Sequence, residues 1–143
     1  GLGTGTLNEW IHQVSGERFE SLSLEAIFGF LFAPIAWLIG VGTAEVLQVG
    51  QLIGVKIFAT EFFAYLELAE MKAQGLSERS VFLATFALCG FANFMSIGIQ
   101  IGGIGALAPE RRSDLAVLGV RALIGGTLAS LLSASVAGMF FYS

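Results

Sequence analysis

The chain has 143 residues, 55% of them hydrophobic and 13% charged, with a formal charge of −4 and a mean hydropathy of +0.81. A soluble domain is about 25% charged, and a sphere this small cannot hide so much apolar surface from water. The composition therefore excludes an ordinary soluble domain and a disordered chain, and assigns lipid and other membrane helices as the surroundings.

The first 23 residues form a polar leader of mixed charge that holds the lone histidine, His12, so a proton relay through histidine is not expected. The chain opens on Gly1, and its leader lacks the basic region and apolar core of a signal peptide, so a portion of a longer protein is expected. No basic stripe offers a surface for nucleic acid. The single cysteine, Cys89, excludes an internal disulfide and a cysteine-cluster metal site, and its apolar neighbours suggest an inert thiol.

Four apolar segments follow. Residues 26–41 are shorter than the roughly 20 needed for a span and contain Pro34, which reads as an interfacial or re-entrant helix with Ser23 as its N-cap. Residues 46–69 carry Lys56 and Glu61 deep in apolar sequence. Exposing either charge to lipid at the bilayer centre costs roughly 2.5–3.5 kcal/mol, so both must face protein or a watery cavity. On one continuous helix they would point about 140° apart and could not pair; a break between them, giving a helical hairpin with its tip near Ala59, Thr60 and Glu61, is one solution.

After a charged connection with a helix start at Ser77, residues 81–107 read as a helix to about Cys89, an irregular centre from Gly90 to Ser96, and a glycine-rich continuation. Such a broken span is tolerated at membrane depth only where the freed backbone is buried in protein or lines a cavity. The formal G-x-G-x-x-A match beginning at Gly103 fails as a dinucleotide motif, because it continues a membrane segment and lacks the acidic residue expected about 20 positions on. Residues 108–114, with Arg111 and Arg112, separate it from the last segment, 115–142, and are assigned weakly to the cytoplasmic side. Arg121 is expected to snorkel to the interface. Two rows of small residues, Gly125/Ala129/Ser133/Ala137 and Gly126/Ser130/Ala134/Gly138, give this segment a close-packing face.

Two stretches resemble the concentrative nucleoside transporter family. GVKIFATEFFAY, from Gly54 to Tyr65, resembles the family signature G-x-K-x-x-x-N-E-F-V-A followed by an aromatic or Met, and ALCGFANF, from Ala87 to Phe94, continuing through Ser96 to IGIQIGGIGALAPERR, resembles its next block. Thr60 stands where the signature has Asn, and Phe63 where it has Val; the first departure bears on affinity or tip geometry, the second on packing. The resemblance implies an all-α integral membrane protein with a re-entrant helical hairpin and discontinuous transmembrane helices, part of an elevator-type transport domain that moves against a trimeric scaffold. It further implies cation-coupled nucleoside symport across the plasma (inner) membrane by a multi-pass homotrimer, with sodium or a proton as coupling ion, no other cofactor, and uridine as a typical substrate. The family's other hairpin, carrying a G-Q-T-E-type motif and most of the sodium ligands, has no counterpart here, so this chain would hold the ribose-binding half of a site.

By the same resemblance Glu61, Phe91, Asn93 and Ser96 contact substrate, and Lys56 and Thr60 are structural neighbours of the site. Chemistry supports the first: a carboxylate offers acceptors to a ribose diol. Each has a plainer alternative, a structural ion pair with Lys56 for Glu61, backbone satisfaction for Asn93, a helix-stabilising hydroxyl for Ser96, and packing for Phe91. Two other functions compete: a truncated or non-transporting helical membrane module, and an intramembrane hydrolase using Glu61 as base. The latter lacks a nucleophile–base pair and a metal set.

Overall fold

The structure, a computed structural model, describes residues 24–141. Among these it is helical, with no strand. Ser23, His12 and the rest of the leader lie outside the described residues.

Helix α1, Leu24–Leu38, runs through Pro34 and stops where Gly40 takes a φ of +104°; Val41 N–H then closes onto Ala36 C=O at 3.1 Å. The helix ends sooner than the expected 41, because a left-handed glycine terminates a helix more firmly than an apolar run prolongs it. Helix α2, Val46–Phe58, and helix α3, Glu61–Ala73, fold back on each other across Ala59 and Thr60. The hairpin's second limb extends four residues beyond the expected end at 69, to Ala73. There Gly75, at φ +105°, and the bond from Leu76 N–H to Met71 C=O turn the chain.

Helix α4, Glu78–Leu88, is capped by Ser77, where the helix start was expected, so it opens ahead of the apolar segment from 81. It breaks at Cys89, and α5, Phe94–Leu107, resumes from Asn93. A 3-10 turn, Pro109–Arg111, leads into α6, Arg112–Met139. The last helix thus starts ahead of the expected 115, since Arg111 and Asp114 pair at 2.6 Å within its first turn, and it ends at Met139 rather than 142.

At about 1.5 Å per residue, α6 is about 42 Å long, against roughly 30 Å of bilayer hydrocarbon. Together with the turn before it, α6 is the one described helix long and apolar enough to cross a membrane. The 13 residues of α2 make only about 20 Å, and α4 and α5 have 11 and 14 residues.

The core is centred on α2, whose Val49, Leu52 and Ile53 are buried against Ala36 and Ile39 from the α1 end, Leu83 and Leu88 of α4, and Leu131 and Ala134 of α6. Helices α1 and α2 meet backbone to backbone: a Cβ on Gly50 would lie 2.8 Å from Gly29 C=O, and one on Gly54 would lie 2.5 Å from Phe28 Cβ. Of the two small-residue rows on α6, the one with Ser130, Ala134 and Gly138 is buried, while Gly125, Ala129 and Ser133 face outward.

The base of the hairpin is tied by polar contacts. The Glu45 carboxylate accepts from Ser77 N–H at 2.8 Å, from Ser77 Oγ at 2.6 Å and from Ser80 Oγ, so it caps α4 from outside that helix. Burial alone would raise its pKa, but the three hydrogen bonds outweigh burial and hold it below the ordinary glutamate range. Beside it Arg79 donates to Gly40 C=O and Gly138 C=O, both at 3.3 Å, placing a cation at the C-terminal ends of α1 and α6.

Candidate functional site

Opposite that base, the hairpin tip meets the break between α4 and α5. The tip forms because Thr60, extended at φ −150°, caps α3 with its hydroxyl on Phe63 N–H at 3.5 Å. A hydroxyl can do this as an amide can, so the departure from the family's Asn at this position leaves the cap in place. Glu61 follows as the first residue of α3, where its charge sits at the positive end of the helix dipole.

Across from it, Asn93 starts α5. Its Oδ1 accepts from Ser96 N–H at 2.7 Å, and Ser96 Oγ lies 3.4 Å from Asn93 N–H, a reciprocal capping box. Its Nδ2 donates to Glu61 Oε2 at 2.6 Å. Asn93 therefore satisfies backbone freed by the break, the plainer of its two expected roles, and also holds the Glu61 carboxylate, a bond the sequence did not indicate. It is 1% exposed, whereas Glu61 is half-buried. Glu61 Oε1 receives no hydrogen bond from the described residues, which leaves acceptor capacity on the carboxylate.

Ser96 is buried, and its hydroxyl lies 2.7 Å from Asn93 C=O and 3.0 Å from Phe91 C=O, both acceptors for its one proton. It braces the break from within. Phe91 is 69% exposed, so its ring is not fixed by the described core. The preceding Gly90 has φ +110°, and a Cβ there would come 2.8 Å from Ser130 Oγ, so conformation and space both demand glycine.

Lys56 is not paired with Glu61. Its Nζ donates to Ala87 C=O at 2.9 Å, Cys89 C=O at 3.4 Å and Ser130 Oγ at 3.3 Å. Among the described residues the ion pair that does form is Arg111–Asp114. The two intramembrane charges thus take opposite ends of the broken helix: the cation lies at the C-terminal end of α4, the anion at the N-terminal end of α5. Each is favoured there by the helix dipole. Cys89, expected to lie inert among apolar groups, has an exposed thiol, and its carbonyl belongs to the lysine's surroundings.

Two features of the site escaped the sequence reading. Ser130 reaches the break from α6, its Oγ lying 2.6 Å from Cys89 C=O; its only sequence signal is its place in the small-residue row. Phe58, the last residue of α2, stacks on Phe28 at 5.0 Å and lies 5.4 Å from Phe94, the first residue of α5, which aligns tip and break. A cavity of about 520 Å³ opens beside the break, between α5 and α6, bounded by Phe91, Ser96, Gln100 and Leu118. Glu61 and Asn93 do not line it, so this mostly apolar space shares Phe91 and Ser96 with the tip but not the carboxylate. No group of three or more His, Cys, Asp or Glu that could hold a metal occurs among the described residues.

Residues 4–138 match the family model described as "Na+ dependent nucleoside transporter C-terminus". A transporter of Haemophilus influenzae is 52% identical over 127 residues, covering 85% of this chain and 30% of its own length. Sodium/nucleoside cotransporter 1 of Rattus norvegicus is 42% identical over 136 residues, covering 85% of this chain and 21% of its own. Among solved structures, CNTnw in an inward-facing substrate-bound state superposes with a TM-score of 0.75 at 45% identity, over 82% of this chain and 30% of that one. The chain thus spans less than a third of the length of each of these relatives.

Proposed function

Because the chain belongs to the Na+-dependent nucleoside transporter family, we propose that it carries the ribose-binding half of a site for cation-coupled nucleoside symport. The observation that carries this reading is the Glu61–Asn93 bond of 2.6 Å at the meeting of two helix N-termini. It holds a carboxylate at the hairpin tip with one oxygen free to accept from a sugar hydroxyl. Asn93 and Ser96 form the floor beneath it, and the exposed ring of Phe91 packs on the sugar face.

In this reading α2 and α3 are a re-entrant hairpin, since neither limb is long enough to span, and α4 and α5 are a discontinuous span. Half-helix ends at the membrane midplane, stabilised by charges of matching sign, suit a site that closes around a polar substrate by alternating access. The coupling ion is sodium, with a proton as the alternative, and its ligands lie mostly in the part of the relatives this chain does not span. The complete protein is a homotrimeric, multi-pass inner-membrane carrier whose transport domain moves as an elevator.

The test is radiolabelled uridine uptake, with and without a sodium or proton gradient, into cells expressing the longer parent protein and its Glu61→Gln variant. Gradient-dependent uptake that falls by about a hundredfold in the variant is expected, from the loss of a charge-assisted contact worth roughly 1.5–3 kcal/mol. Absence of uptake of any nucleoside under either gradient would favour a non-transporting membrane module instead.

A further inference from the structure

The substrate reading uses Glu61, Phe91, Asn93 and Ser96 but leaves one buried charge without a task. Lys56 is 1% exposed and hydrogen-bonds to none of those four side chains. Its ammonium has three protons and meets three oxygen acceptors, the carbonyls of Ala87 and Cys89 and the Ser130 hydroxyl. Two of these carbonyls end α4, where the last C=O groups lack intrahelical partners and carry the negative end of the helix dipole. An unwound half-helix C-terminus of this kind is where a membrane transporter can coordinate a metal cation. Here the protein's own ammonium fills the position. Ser130 completes the oxygen set from α6, with Cys89 C=O 2.6 Å and Gly126 C=O 3.1 Å from its hydroxyl.

We propose that Lys56 is the resident cation of the helix break, a positioning residue whose ammonium, in place of a bound metal ion, fixes residues 89–93 so that Phe91, Asn93 and Ser96 form a preformed face for the nucleoside. The lysine joins three elements at one point: the first limb of the hairpin, the end of α4, and α6. Removing the charge takes the ammonium from the Ala87 and Cys89 carbonyls and leaves Cys89 C=O the Ser130 hydroxyl as donor, a loss the chain relieves by rotating the 89–93 peptide groups. The cost then falls on substrate affinity, through a displaced Asn93 and Ser96. The substrate half of this proposal rests on the nucleoside reading above; the fixing of residues 89–93 does not.

The experiment uses the full-length parent protein and its Lys56→Met and Ser130→Ala variants, reconstituted in vesicles. Met keeps the length and apolar stem of lysine without its charge, so a role in packing alone would leave function intact. Uridine KM and maximal uptake per reconstituted protein are measured, together with the rate at which a maleimide labels Cys89 in a background free of other cysteines. Lys56→Met is expected to raise KM about tenfold or more, with maximal uptake within about twofold and Cys89 labelling about fivefold faster. Ser130→Ala shifts KM and labelling in the same directions by about threefold, and it decides the matter if the lysine variant does not fold. Wild-type KM and labelling in the folded variants would overturn the proposal, as would a fall in maximal uptake at unchanged KM. Should the wild-type parent transport no nucleoside, the substrate reading fails by itself, and labelling alone decides: faster labelling upholds the fixing of residues 89–93, and an unchanged rate overturns it.

Discussion

Asn93 divides its amide between two tasks, with Oδ1 capping α5 and Nδ2 on Glu61, and substitutions can separate them. Asn93→Asp keeps an acceptor for the cap but sets a second carboxylate against Glu61; Asn93→Ala loses both functions. The expected outcome is that Asn93→Ala loses about 1 kcal/mol of stability, the usual worth of an N-cap, that Asn93→Asp keeps the cap but loses stability through the two apposed carboxylates, and that both lower uridine uptake affinity about tenfold or more. Equal affinities for the wild type and Asn93→Asp, measured as KM on the full-length protein, would show that the amide donor does not matter. Glu61 itself was legible in the sequence, since a carboxylate amid apolar residues demands a polar setting. Its partner Asn93 was also singled out, but the bond between them was not, because the two lie 32 residues apart and no local pattern records such a pairing.

The elements were legible in unequal measure. The break between Lys56 and Glu61 followed from their angular separation on a helix, and the irregular centre of the third segment from its glycine and asparagine. Harder to read were the contacts that cross between elements: Lys56 to Ser130 over 74 residues, Glu45 to Ser77 over 32, and the choice of one small-residue row over the other on α6. The close crossing of α1 and α2 did leave a trace in Gly29-x-x-x-Ala33 and Gly50-x-x-x-Gly54, a spacing that brings helix backbones together.

The Glu45 cap makes a prediction at this scale. Its folded pKa lies below the ordinary value, so its stabilisation is present above the unfolded-state pKa, about 4.3, and is lost as pH falls through the lower folded value. Amide-exchange protection at the start of α4 in the full-length protein should therefore decline in acid. Glu45→Gln should be less protected at pH 7 by about 1 kcal/mol, a figure already reduced for the partial exposure of the group, and should show little of that acid dependence. A variant that titrates like the wild type would assign the cap to Ser77 alone.

At the scale of the molecule, the chain presents many exposed apolar side chains, among them Phe30, Trp37, Leu107 and Met139, as expected of a surface that meets lipid or further protein rather than water. It also spans less than a third of its relatives. Glu61 Oε1 and the ring of Phe91 accordingly face outward from the part described. The 143-residue chain alone, purified in detergent, is expected to bind uridine more weakly than about 1 mM by calorimetry, against much tighter binding by the full-length parent. Micromolar binding by the isolated chain would mean that the tip and break suffice as a complete site.

The hairpin tip is also a ruler. Four residues separate the cation that occupies one end of the broken helix from the anion that occupies the other, and the gap they measure is the unwound stretch from Cys89 to Asn93. Chemistry along those four residues has latitude, as Thr60 in the place of an asparagine illustrates, provided something caps α3. Length has none: one residue more or fewer would swing a charge off its helix end and leave it in the apolar interior. What the tip sets is therefore a distance more than a set of side chains.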